Sequence, residues 1–197
     1  MRRSDHLVAV PNVSEGRDLA LVERLVEAVE GAGARVLDVH TDPVHNRSVL
    51  TSAAEPPVLV DAMTALARAA CAIDLSRHSG VHPRLGVLDV CPFVVDGLPS
   101  EVVAEVARAA GRSIADRAAI PVYLYGEAAP RPEFTELPRL RRSAHELPPD
   151  YGPTTPDPRR GVVCVGARGP LVAFNVWLRA DLPTAKRIAA AVRAELG

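Results

Sequence analysis

"ARVLDVHTDPVHNRSVLTSAA", residues 34–54, holds two runs of β-branched and apolar residues on either side of Asp42-Pro43-Val44-His45. Asp and Pro supply turn geometry, so the runs 34–41 and 46–54 are expected as paired strands around DPVH. Upstream, HLVAVPNV (6–13) reads as a strand ending at Pro11-Asn12. LALVERLVEAVEGAG (19–33) follows with helical periodicity, capped by Ser14 or Asp18 and stopped by Gly31 and Gly33. Downstream, PPVLVDAMTALARAACAIDL (56–75) is a long apolar-periodic helix with proline at its start. RLGVLDVCPFVV (84–95) is a near-continuous apolar strand. SEVVAEVARAAGRSIADRAA (100–119) is the next helix, with Ser100 as its cap, and PVYLYG (121–126) is a further strand. A hairpin set between two helical segments makes split β-α-β units. The fold class is therefore α+β: a ferredoxin-like α/β sandwich, with a mixed or antiparallel sheet and helices on one face.

From 129 to 158 the pattern dissolves into a proline-rich loop holding eight of the chain's 18 prolines, with one short helix expected at LPRLRRS (137–143). Loops of that length inside a compact domain are functional or disordered more often than incidental. GVVCVGAR (161–168) and PLVAFNVWLR (170–179) read as a hairpin around Gly169-Pro170, and LPTAKRIAAAVRAEL (182–196) as an amphipathic closing helix. One domain over 1–180, closed by 181–197, accounts for all 197 residues. A net charge of −1 gives no general reason to bind nucleic acid or a membrane surface. No stretch reaches the roughly 20 apolar residues of a membrane span, nor does the N-terminus resemble a secretory leader, so a cytoplasmic location is expected. Cys71, Cys91 and Cys164 are odd in number, distant and set among apolar residues, which suits reduced core thiols.

The titratable chemistry concentrates in RHSGVHPRLG, residues 77–86. His78 and His82 are four apart, but Gly80 and Pro83 oppose the helix that would place both on one face as metal ligands, and no HExxH glutamate accompanies them. No metal is expected. Pro83 restricts His82 to extended geometry and so fixes its direction, and an imidazole is the side chain most readily poised for proton transfer near neutrality. Arg84 could grip a carboxylate bidentately; alternatively it belongs to a surface loop, paired with Asp74 or Asp89. Two further polar clusters stand out: Asp38, His40, Asp42, His45, Asn46 and Arg47 at the hairpin, and Asn12, Ser14, Glu15, Gly16 and Arg17 after the first strand. No GxSxG, GxGxxG or GxxxxGK[ST] occurs, which leaves serine-nucleophile and nucleotide chemistry without support.

VPNVSEGR (10–17), LDVHTDPVHNRSVLT (37–51), IDLSRHSGVHPRLGVLDVCPF (73–93), YLYG (123–126), PDYGP (149–153) and VGARGPLVAFNVWL (165–178) occur in one order across nearly the whole chain. Together they resemble the formiminotransferase family. The resemblance implies transfer of the formimino group of N-formimino-L-glutamate to N5 of tetrahydrofolate, the co-substrate, in histidine degradation and one-carbon metabolism. It makes His82 the catalytic acid/base. It lays VGARGPL along the folate, with Gly166, Ala167 and Arg168 as contacts, and leaves Arg84, Asn12, Glu15, Asn46 and Arg47 for the polar ends of the substrates. Formyl transfer between 5-formyltetrahydrofolate and glutamate is a close variant, and a non-catalytic folate-binding or partner-binding module the other class. His40 stands where the family pattern calls for Asp or Ser, and Trp177 where a smaller polar residue is expected.

Relatives carry two similar subdomains packed sheet to sheet, and the resemblance covers the first. One sheet face is then expected to be bare, at about 25 cal/mol per Å² of apolar surface. That predicts a homodimer through this face, or a separate chain supplying the second subdomain.

Overall fold

A computed structural model describes residues 6–81, 83–144, 146–171 and 176–196. The first strand is interrupted at Val10-Pro11 into β1 (Leu7–Ala9) and β2 (Asn12–Val13). It continues through α1 (Leu19–Gly31), the hairpin β3 (Arg35–Asp42) and β4 (Arg47–Ala54), α2 (Pro56–Ala70), β5 (Leu88–Val94), α3 (Ser100–Ala118), β6 (Val122–Gly126), α4 (Leu137–Ser143), β7 (Val163–Arg168) and α5 (Leu182–Leu196). The sheet is mixed. β3 pairs β4; β4 pairs both β1 and β2; these two pair β5, all antiparallel, and β7 then joins β5 to β6 in parallel. The α+β class is as expected, and β1/β2, β3, β4 and β5 reproduce the split β-α-β arrangement.

Local chemistry accounts for the helices. Asp18, rather than Ser14, caps α1 by accepting from the Leu21 amide at 3.0 Å; Ser14 is buried and donates to the Gly86 carbonyl at 2.8 Å. Leu21, Val22, Leu25 and Val29 form the buried stripe of α1, and Leu59, Ala62, Met63, Leu66, Ala67 and Ala70 that of α2. Helix α2 stops at Ala70, short of 75, and a 3₁₀ turn at Leu75–Arg77 follows, capped by Asp74. Ser100 is the first helical residue of α3 and caps nothing; the capping position belongs to Pro99. Alanines and Gly111 on the buried side of α3 let it lie close against β6, where a Cβ on Gly111 would meet Val122 and Leu124 at 3.1 and 3.2 Å.

Helices α1, α2 and α3 cover one face of the sheet, and their apolar stripes form the main core. Described parts of the proline-rich segment lie on the opposite face. Its short helix α4 and a 3₁₀ turn at Pro132–Phe134 bury Phe134, Leu140 and Ala144 against Val90, Tyr123, Tyr125 and Cys164. Among the described residues that face is therefore half covered, over β5, β7 and β6, and open over β1 to β4. The strand expected at 84–95 shortens to β5, and β7 has parallel neighbours on both sides. The second arm of the expected hairpin falls partly on 172–175, outside the described residues, and 176–179 form no strand. Helix α5 is exposed along most of its length. Cys91 and Cys164 are buried and Cys71 half-buried, all free thiols. No helix among the described residues is long and apolar enough to cross a membrane.

Candidate functional site

At one end of the sheet three polar segments interlock. Asn46, in a left-handed conformation at φ 52° and 5% exposed, accepts from the Gly16 amide through Oδ1 at 2.9 Å and donates through Nδ2 to the Ser79 carbonyl at 3.0 Å. Asn tolerates that conformation better than most residues because its short side chain satisfies itself locally. Gly16 has no room for a side chain, since a Cβ would lie 2.6 Å from the Arg47 amide nitrogen. Glu15 turns its carboxylate back on the backbone, where Oε1 accepts from the amides of Gly16, Arg17 and Asp18 at 2.8–2.9 Å. Arg17 ties this loop to the hairpin by donating to the Pro43 carbonyl at 2.8 Å. Asp42 accepts from His45 Nδ1 at 2.6 Å and from the backbone amides of Val44 and His45, and these bonds, the His45 amide first, hold its carboxyl below the usual 3.8. Arg84 reaches the His45 carbonyl at 3.4 Å and His78 Nε2 at 3.5 Å. Thus Glu15, Asn46 and Arg84 build the frame around residues 78–84. His82 itself lies outside the described residues.

Around the corner, on the face left open by α1 to α3, lies a cleft of about 530 Å³. Val10, Val49, Val90, Pro92, Leu137 and Leu171 give it apolar walls, and Asn12, His40, Arg47, Tyr125, Arg141 and Arg168 its polar groups. Asn12, Arg47 and Arg168, chosen from three distant segments, come together here. Ala167 instead packs into the core, and Gly166 is buried with the Tyr125 ring against it, so that a Cβ would stand 2.5 Å from Tyr125 Cδ1.

A single buried carboxylate organises the guanidinium groups. Asp89, in the central strand and with a fully buried side chain, accepts through Oδ2 from Arg141 Nη1 at 2.9 Å and Arg47 Nη2 at 3.3 Å, and through Oδ1 from the Leu85 amide at 2.7 Å. Arg47 also donates to Asn12 Oδ1 at 3.0 Å, and Arg141 to the Pro83 carbonyl at 3.1 Å. Burial pushes the Arg47 guanidinium below its usual range, and Asp89 opposes that shift. The network thus joins β2, β4, β5, α4 and the turn next to His82. Asp89 pairs with Arg47 and Arg141, and Asp74 faces Arg159 at 4.0 Å. Two groups of this site, Arg141 and the Tyr125 hydroxyl, escaped sequence reasoning, and Asp89 entered it only as a possible partner of Arg84. An acid inside the apolar run VLDVCPF was a readable signal for Asp89, since a charge buried in a strand needs a partner. Nothing in spacing singles out Arg141 or the Tyr125 hydroxyl.

Residues 6–168 match the family described as formiminotransferase domain, N-terminal subdomain. A glutamate formimidoyltransferase from Thermoplasma acidophilum is 38% identical over 204 residues, covering 95% of this chain and 67% of that protein. One from Streptococcus pyogenes serotype M1 is 37% identical, covering 95% and 68%. The formimidoyltransferase-cyclodeaminase of Mus musculus is 40% identical over 93% of this chain, which spans only 36% of that longer protein. The chain belongs to the formiminotransferase family, with its N-terminal subdomain at residues 6–168.

Proposed function

We propose that this chain takes part in transfer of the formimino group from N-formimino-L-glutamate to N5 of tetrahydrofolate. The observation that carries the reading is the cleft in which Arg47, Arg141 and Arg168 meet Asn12 between apolar walls. Both substrates bear glutamate carboxylates, and arginine binds carboxylates bidentately where lysine offers only a point charge. The apolar walls suit a planar ring.

Tetrahydrofolate supplies the nucleophilic nitrogen. His82 takes the proton that N5 loses as its bond to the amidine carbon forms, and returns it to the glutamate nitrogen as the old C–N bond breaks. No electrons change hands, and one C–N bond replaces another. An imidazole in this role contributes about 10²–10⁴-fold. Arg84, Asn46 and Glu15 support the loop that carries it, and the backbone of 166–168 is assigned to the folate.

The half-open sheet face supports a second element of the reading. Leu37, Leu171 and Trp177 are exposed, Trp177 at 78%. A second copy of the chain is proposed to cover them, which sedimentation at micromolar concentration tests by showing a dimer or a monomer.

For the reaction itself, glutamate release from N-formimino-L-glutamate is measured with and without tetrahydrofolate, for wild type and His82→Ala. Folate-dependent release that the variant loses by at least a hundredfold is expected. Equal release by both proteins would refute the role of His82, and no release with folate still bound would favour a binding module.

A further inference from the structure

Tyr123 and Tyr125 are two apart on β6 and point to the same side of the sheet, yet their hydroxyls differ. Tyr123 donates to the Leu147 carbonyl at 2.8 Å. Tyr125 is 2% exposed, and its hydroxyl makes no hydrogen bond among the described residues. The third tyrosine, Tyr151, receives a hydrogen bond from Arg112 at 3.3 Å. Buried hydroxyls are almost always partnered, so this exception calls for a reason.

Its surroundings supply one. The ring is locked against Gly166, and Tyr125 lines the basic cleft beside Arg168. Arg168 stands beside the phenol oxygen, but a guanidinium only donates and so leaves the O–H without an acceptor; its Nη1 donates to the Gly169 carbonyl at 3.1 Å. A neighbourhood rich in guanidinium donors offers a phenol O–H few acceptors. The hydroxyl is closed to solvent in the free protein, so an oxygen acceptor bound in the cleft reaches it, beside the guanidinium groups, once the side chains around it shift.

We propose that the Tyr125 hydroxyl is a specificity-determining donor of the cleft, left without an acceptor among the described residues and completed by an acceptor oxygen, carbonyl or carboxylate, of the bound folate. The inference rests on the reading of the cleft as the folate site. Burial pushes the phenol upward and outweighs the opposing pull of Arg168, so the O–H stays a neutral donor across physiological pH. Sites built to hydrogen-bond a ligand reject analogues that leave such a group unpaired.

Tyr125→Phe separates this role from a structural one, because the two predict opposite signs. Removing an orphan hydroxyl while keeping the ring should leave the melting temperature of the free protein unchanged or raise it by about 2 °C. The same change should weaken binding of 5-formyltetrahydrofolate, a stable folate probe, by about tenfold in titration calorimetry. A melting temperature lower by several degrees would show that the hydroxyl has a partner in the free fold and overturn the inference. Equal affinity of variant and wild type would overturn it while leaving the folate site standing. Failure of the wild type to bind the probe would overturn the functional reading and the inference with it.

Discussion

Asp89→Asn removes one charge and leaves shape almost untouched, which makes it the sharpest probe of the arginine network. The carboxylate has four acceptor sites and, among the described residues, uses three of them, for Arg141, Arg47 and the Leu85 amide. An asparagine must turn its NH₂ either toward the Leu85 N–H or toward the two guanidiniums, and both are donors. Each orientation therefore loses at least one hydrogen bond and creates a donor–donor contact. Removing one partner from a buried ion pair costs about 3–5 kcal/mol. Arg47 and Arg141 keep 16% and 19% side-chain exposure and retain Asn12 and the Pro83 carbonyl, so partial rehydration places the loss at the low end, about 3 kcal/mol. For a chain of this size that is roughly 6–12 °C in melting temperature. Urea unfolding of wild type, Asp89→Asn, Arg141→Met and the double variant gives both the loss and the coupling energy. A loss below about 1 kcal/mol, or additive single effects, would refute the claim that Asp89 holds the cleft together.

Asp18→Ala should lower stability by about 1 kcal/mol through loss of the α1 cap, readable by thermal denaturation, whereas Ser100→Ala should not, because Ser100 caps nothing. In the native protein Cys71 should react with a thiol reagent at pH 8 well before Cys91 and Cys164, whose thiols burial pushes up to about 12; mass spectrometry after limited labelling identifies the order. The depressed carboxyl of Asp42 contributes stability that is fully present above the unfolded value of 3.8 and is lost as pH falls through the lower folded value. The stability gap between wild type and Asp42→Asn should therefore close as pH falls from 3.8 through the lower folded value, which denaturation across that acid range checks.

Much of this molecule is decided within a few residues along the chain. The 3.6-residue stripes of α1, α2 and α3, the hairpin around DPVH and even the seven-residue helix LPRLRRS are local patterns, legible because each helix or strand must turn one face to a core. Boundaries were less legible. Pro11 splits the first strand, α2 ends five residues before its apolar pattern does, and Ser100 sits inside α3, because packing and not propensity sets where an element stops. The loop 129–158 looked irregular in sequence, yet it places Phe134 and Leu140 into a second core. Motif resemblance pointed to His82 and to Asn12, Arg47 and Arg168, and the last three do share one cleft. It could not point to Arg141, 52 residues from the Asp89 it grips, nor to the lone hydroxyl of Tyr125. Periodicity and turn chemistry act between neighbours in sequence, so they specify which segments become helix or strand. Ion pairs, orphaned polar groups and cleft walls depend on which segments fold against each other, and only the assembled sheet brings β4, β5, α4 and β7 within reach of one another.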